Sequence, residues 1–187
     1  MAKVTSRKRR IAAVALASLL ASLLPSLLTA MASAASAGSL EYAVKATYLL
    51  KFTRFVVWPQ AALGSGDSFN ICILGSDPFG SMLNQVVAGE EVAGRKIAIR
   101  RVERDPAPGS CQVLYIGAHE ERPRSTGEPG RAVLTVGEGS EFARNGGVIG
   151  FVIENRRDTF DINWRAAEAS GLKLSSGLLT VARTVIR

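Results

Sequence analysis

At 187 residues the chain has length for one domain and an appendage, and a 47% hydrophobic composition supports a packed core, which excludes an extended or disordered protein. The formal net charge of +7 invites a nucleic-acid reading. Residues 1–37 remove its support: they hold five of the 23 Lys and Arg and no acid, so the remainder carries 18 basic against 16 acidic residues, a net of +2.

That leading stretch has the three parts of an export signal. Lys3, Arg7, Lys8, Arg9 and Arg10 form a positive head, Ile11 to Ala30 an apolar run, and Ala32-Ser33-Ala34 and Ala35-Ser36-Ala37 a small-residue exit. Cleavage is expected after Ala37, with Ala34 as the alternative, giving an exported domain over 38–187. Pro25 and the exit favour removal over an uncleaved anchor, and no cysteine follows the run to carry a lipid. Both cysteines lie in the exported part, where oxidation is favoured.

Leu40 to Trp58 reads as a first helix, capped by Ser39 and ended by Pro59, with Val44, Tyr48, Phe52 and Phe55 or Val56 at helical spacing and Glu41 and Lys45 paired on another side. With Tyr42 and Trp58 it holds five of the chain's aromatics. Such a stripe anchors a helix on a sheet or faces a partner. After a Gly- and Ser-rich connection, Phe69 to Leu74 is an unbroken apolar run bounded by turn residues, the pattern of a strand buried on both faces. Gly75 and Ser76 then turn the chain, Asp77 is placed to cap a helix over Pro78 to Val87, and Pro78 suits its first position.

A second strand is expected over Lys96 to Val102, its basic cluster (Arg95, Lys96, Arg100, Arg101, Arg104) read as charge guarding a sheet edge rather than as a phosphate patch. Cys111 to Gly117, CQVLYIG, is another buried run. Ala118 to Arg131 is polar and aperiodic, and Ala132 to Val136 gives a fourth strand. Ser140 to Asn145 reads as a one-turn helix, and Val148 to Ile153 and Thr159 to Ile162 as a hairpin about the turn Asn155 to Asp158. Asn163 to Gly171 is a capped helix with a terminal glycine, and a final helix runs from Ser175-Ser176 to Ile186.

Strands alternating with helices predict an α/β fold: a mostly parallel twisted sheet with helices on both faces, a flavodoxin-like strand order and an antiparallel far-edge strand. In the order 2-1-3-4-5 the Phe69 strand is central and beside the Cys111 strand. A Cys72 to Cys111 bridge then follows if their depths along the sheet match, and mass before and after reduction separates it from free thiols.

Parts for catalysis are few. The single histidine, His119, sits where open α/β sheets place ligands, so Gly75, Ser76, Asp77, Gly117 and His119 form a candidate ligand cleft. The neighbours Glu120, Glu121 and Arg122 argue for a solvated turn. One His and two separated Cys give no metal-ligand spacing, GSDPFG lacks both GxGxxG and the P-loop lysine, and neither a catalytic set nor a cofactor is indicated. Binding is the expected class, without nucleic acid.

The blocks YAVKATYLLKFTRFVVWP (42–59), FNICILGSDPFG (69–80), GRKIAIRRV (94–102), CQVLYIG (111–117), GGVIGFV (146–152) and INWRAAEASGLKLSSGLLTVAR (162–183) resemble, in order and character, the YfiR family of periplasmic proteins. The resemblance implies a homodimeric regulator that restrains a membrane-bound diguanylate cyclase by contacting its periplasmic domain, relieved by an outer-membrane lipoprotein. Cyclic di-GMP output, biofilm formation and motility would respond. The family's disulfide maps onto Cys72 and Cys111, whereas the further cysteine pair of some members has no counterpart in Gly146 to Asp161. No catalytic residue is implied. Candidate partner surfaces are Tyr48, Phe52, Phe55 and Trp58 of the first helix, or the segment around Trp164. A small-ligand sensor using the cleft is the competing expectation.

Overall fold

The computed structural model describes residues 40–64, 66–118, 120 and 130–187. The chain divides into residues 1–41 and a compact unit, 42–187, that contains every element below from β1 onward.

Strand β2 (Ser68–Leu74) is the middle of the fold because its side chains are buried on both sides of the pleat. It pairs in parallel with β4 (Arg95–Val102), Phe69 opposite Ile97, and with β5 (Val113–Ile116), Ile71 opposite Val113. β6 (Leu134–Glu138) and β7 (Ile149–Glu154) continue the parallel set, and β8 (Arg157–Asn163) returns antiparallel to β7. That hairpin turns on Asn155 and Arg156, both at positive φ (51° and 61°), the twist a two-residue turn needs to match its strands.

The full sheet is β10-β8-β7-β6-β5-β2-β4-β3, where β3 (Glu91–Val92) lies antiparallel to β4 and β10 (Thr184–Ile186) parallel to β8. It is a mixed, mostly parallel eight-stranded sheet. Two strands, β3 and β10, flank the six expected, so the order does not by itself establish a flavodoxin-like arrangement. The far edge also differs from expectation: β10 covers the antiparallel β8 with a parallel pair.

Two departures in the helices have one cause. The first helix, α1 (40–54), stops before the β-branched pair Val56–Val57, which forms β1 against β9 (Lys173–Leu174). Likewise α6 (Ser176–Val181), capped by the Ser175 hydroxyl accepting from the Leu178 N–H, ends at an extended Ala182, and the expected last helical turn, Thr-Val-Ile, is β10. In both places apolar periodicity continued while β-branching and an open strand edge favoured extension. α1 also turns a different side inward. Lys45, Ala46, Leu49, Phe52 and Thr53 are buried, whereas Val44 and Phe55 of the expected stripe are exposed.

Pro59 opens a short helix instead of closing one, α2 (Gln60–Leu63). Asp77 does receive backbone donors, from Phe79 and Gly80, but they belong to a turn before α3 (Ser81–Val86), which starts three residues later than expected. In α5 (Trp164–Ala169) the expected cap is present: Asn163 Oδ1 accepts from the Ala166 N–H at 2.9 Å, and Gly171, at φ +80°, closes the end.

The larger core lies on the face carrying α1, α2, α3 and α6, where Phe52 meets Phe151 and Phe160 at 5.7 and 4.9 Å between ring centres. On the opposite face a smaller cluster of Cys72, Leu74, Leu114, Ile116 and Val133 is joined by Phe142 of α4 (Ser140–Arg144). Cys72 and Cys111 are bonded, with Cα atoms 5.8 Å apart. Cys111 precedes β5 by two residues, so the bond fastens the end of the β4–β5 crossover to β2 rather than linking two paired strand positions.

Candidate functional site

At the carboxyl end of β2 and β5, the described residues of the expected cleft form a closely packed turn. Gly75 donates its N–H to the Val102 carbonyl at 3.1 Å and lies under the Glu120 side chain, which a Cβ on Gly75 would meet at 2.2 Å. Gly117 packs so close to the turn that a Cβ there would fall 2.8 Å from the Ser76 carbonyl oxygen. Ser76 is exposed. Asp77 gives Oδ1 to backbone N–H groups and Oδ2 to Arg101 Nε at 2.6 Å, leaving neither oxygen uncommitted. The structure thus brings Gly75, Ser76, Asp77 and Gly117 together, as a tight turn. His119 lies outside the described residues. Among those residues no group of His, Cys, Asp and Glu is placed to hold a metal ion.

Much of the basic cluster is also structural. Arg95 donates to the carbonyls of Leu63, Gly64 and Gly66, Arg101 to Asp77, Gly80 and Asn84, and Arg100 weakly to Ser110 at 3.5 Å. β3 pairs only with Arg95 and Lys96 of β4, so the rest of that edge carries charge without a strand beside it, as an edge guard should.

Beyond that end of the sheet, the structure assembles something the sequence did not disclose. Lys45, placed by its spacing with Glu41 on another side of the helix from the apolar stripe, is buried at 1% exposure, and its Nζ donates to Glu138 Oε2 at 2.8 Å while lying 4.8 Å from the Tyr42 ring centre. Tyr115 donates its hydroxyl to Glu138 Oε1 at 2.8 Å. This network fixes α1 over the ends of β5 and β6.

The exposed side of α1 faces solvent beside α6. Tyr48, Phe52, Phe55, Phe160, Leu178 and Val181 line a groove of about 490 Å³ whose rim carries Lys51 and Arg54. Phe52 forms its buried floor, Phe55 is 42% exposed and Val181 65%, and Val57, 64% exposed, follows in β1. Large apolar side chains are seldom left open together in this way without a partner. Of the surface residues singled out from sequence, Tyr48, Phe52 and Phe55 meet here. Trp58 does not: it packs edge-on against Phe69 at 5.0 Å and donates its indole N–H to the Thr53 carbonyl. Trp164 is half-buried at the start of α5 and is not among the groove residues. Leu178 and Val181 were visible only as a helical apolar pattern, with no sign of which neighbour they would join.

Comparison with curated proteins returns no significant match. Among solved structures, the ABC domain in complex with L-Trp from Streptococcus pneumonia is similar at a TM-score of 0.48 and 12% identity, the alignment covering 75% of this chain and 60% of that one. The chain therefore spans less than two thirds of that protein. At this level the likeness carries no argument about function. The family comparison is of another order: the YfiR/HmsC-like family matches over residues 42–183, from the start of the compact unit to the residue that clamps β10. With the Cys72–Cys111 bond and the fold described above, the chain belongs to the YfiR/HmsC-like family, whose role is regulatory rather than catalytic.

Proposed function

We propose that this chain is an exported regulator that lowers cyclic di-GMP signalling by restraining a membrane-bound diguanylate cyclase, docking the enzyme's periplasmic domain in the groove between α1 and α6. The observation that supports it is an open apolar groove, with a basic rim, in a chain of a regulatory family. The occupant that fits is an amphipathic segment of the cyclase with apolar residues inward and acids toward Lys51 and Arg54. Residues 1–37 act as the export signal, and the Cys72–Cys111 bond suits the oxidising compartment they lead to. A homodimer, and an outer-membrane lipoprotein that relieves inhibition, complete the proposal at the level of the family. The competing small-ligand reading of the Gly75 to Asp77 turn gains little support from its contacts, because the Asp77 carboxylate and the Gly75 N–H are already engaged within the fold.

Phe55→Asp and Val181→Asp place charge in the groove at exposed positions, so folding should be little changed. Binding to the purified periplasmic domain should fall at least tenfold, since an unpaired charge buried at an interface is strongly unfavourable. Deleting the gene should raise cyclic di-GMP in the host. Undiminished binding by both variants would remove the groove from the proposal, and unchanged cyclic di-GMP across growth conditions would remove the cyclase.

A further inference from the structure

Arg144, Arg165 and Arg187 come from three parts of the chain and line one pocket of about 480 Å³. Arg144 ends α4, Arg165 lies in α5, and Arg187 follows β10. Asn163, Ser170 and Ile186 contribute to the wall, and no carboxylate side chain does. The pocket shares no residue with the α1–α6 groove.

The framework is held firmly. Asn163 Nδ2 donates to the Ala143 carbonyl at 2.8 Å while its Oδ1 caps α5, so one buried side chain joins α4 to α5. Opposite Asn163 in the ladder is Ile186, and β10 is clamped onto β8 by the two-pronged contact of Arg183 with Asp161 at 2.8 and 2.5 Å. The guanidiniums themselves are little committed. Arg144 pairs with Glu141 at 2.8 Å, but both side chains are more than half exposed and such a pair holds weakly. Neither Arg165 nor Arg187 has a hydrogen bond or ion pair among the described residues.

Three guanidiniums around one concavity, of which Arg144 alone is paired, and with an exposed carboxylate, present a positive surface that favours an entering anion. Guanidinium forks suit oxyanions, which they bind through paired N–H groups, and the volume is in the range of small-molecule sites. We propose that this pocket binds a small soluble polyanion, of the phosphate, pyrophosphate or polycarboxylate class, whose charged oxygens meet the three arginines. The site lies apart from the groove proposed for the cyclase, so it would equip the regulator to respond to a solute. A phospholipid headgroup presents the same chemistry on a surface. The concave shape, walled by three elements, favours the free solute.

Isothermal titration of the mature protein with pyrophosphate and with citrate tests this, alongside sedimentation with phosphatidylglycerol vesicles. Saturable binding of at least one solute is expected, weakening as salt rises. Arg165→Gln should weaken it roughly tenfold and Arg165→Gln/Arg187→Gln further, the loss of charged hydrogen bonds. Arg157→Gln, a basic residue outside the pocket, should leave it unchanged. Unfolding midpoints without ligand confirm that the variants fold, and Arg144→Gln serves as a replacement if one does not. Absence of saturable binding by either solute, equal binding by the double variant, equal weakening by Arg157→Gln, or binding to vesicles alone would overturn the proposal.

Discussion

Replacing Lys45 with alanine leaves the Glu138 carboxylate facing the core with only the Tyr115 hydroxyl to answer it. Losing one partner of a buried ion pair is far worse than losing both, and we expect Lys45→Ala to destabilise the protein by about 3 kcal/mol in urea denaturation, the low end of the range because Glu138 keeps 22% of its side chain in water. The double variant Lys45→Met/Glu138→Gln should recover most of that loss. Recovery by the double variant separates the charge effect from a simple packing defect, which it would not repair. Lys45 was misplaced by sequence reasoning for a physical reason: a lysine within an i, i+4 pair is normally solvated, and its partner Glu138 is 93 residues away. The Cys72–Cys111 bond, in contrast, was within reach, since both cysteines sat in or beside neighbouring buried strands. Its removal by Cys72→Ala/Cys111→Ala should lower stability by about 4 kcal/mol for a loop of this length, measured against the oxidised parent.

Where elements meet, the tolerance for added atoms is small. Gly150 of β7 lies directly beneath α4, and a Cβ there would stand 2.5 Å from the Gly139 carbonyl oxygen, a backbone atom that cannot rotate away. Gly150→Ala should therefore destabilise by roughly 1–3 kcal/mol, the penalty of overpacking, read as a lower urea midpoint at unchanged slope. The same closeness explains why Gly137 and Gly147 enclose the Phe142 ring. At the sheet's edge, Arg183→Ala should loosen β10 selectively, because Asp161 is left buried without its cation, and hydrogen exchange should accelerate at 184–186 before it does in β2 or β5. Hydrogen bonding to the Asp161 carboxylate raises the Arg183 pKa, so the guanidinium of this clamp keeps its charge. Runs such as Phe69 to Leu74 and Cys111 to Gly117 were legible as central strands because burial on both faces demands unbroken apolar sequence. The strands β1, β3, β9 and β10 were not legible, since two or three residues carry no periodicity and form by capping an edge made elsewhere. The groove was half legible: Tyr48, Phe52 and Phe55 announce themselves by spacing, but Leu178 and Val181 join them only through the fold.

Export, oxidation and folding are coupled in the proposal for the whole molecule, and the coupling can be read from one pair of samples. Made with residues 1–37 and recovered from the periplasm, the protein should begin at Gly38, and its intact mass should rise by about two units on reduction as each sulfur gains a hydrogen. Made as residues 38–187 in a reducing cytosol, it should carry free thiols and show no such rise. Both samples keep the same buried network of Gln112 with Asn70 and Ala62 and the same two cores, so both should fold to the same sheet by circular dichroism. The reduced sample should nevertheless unfold at lower urea, by the amount that the paired alanine variant loses, because in both cases the 39-residue separation is no longer closed in the unfolded chain. Oxidising the cytosolic sample after folding should restore the midpoint fully, since the β2–β5 pairing, which contains Cys72 and begins two residues after Cys111, brings the two thiols together without the bond. A cytosolic sample that cannot be reoxidised, or that is as stable as the exported one, would show that the bond is not what compartment contributes to this fold.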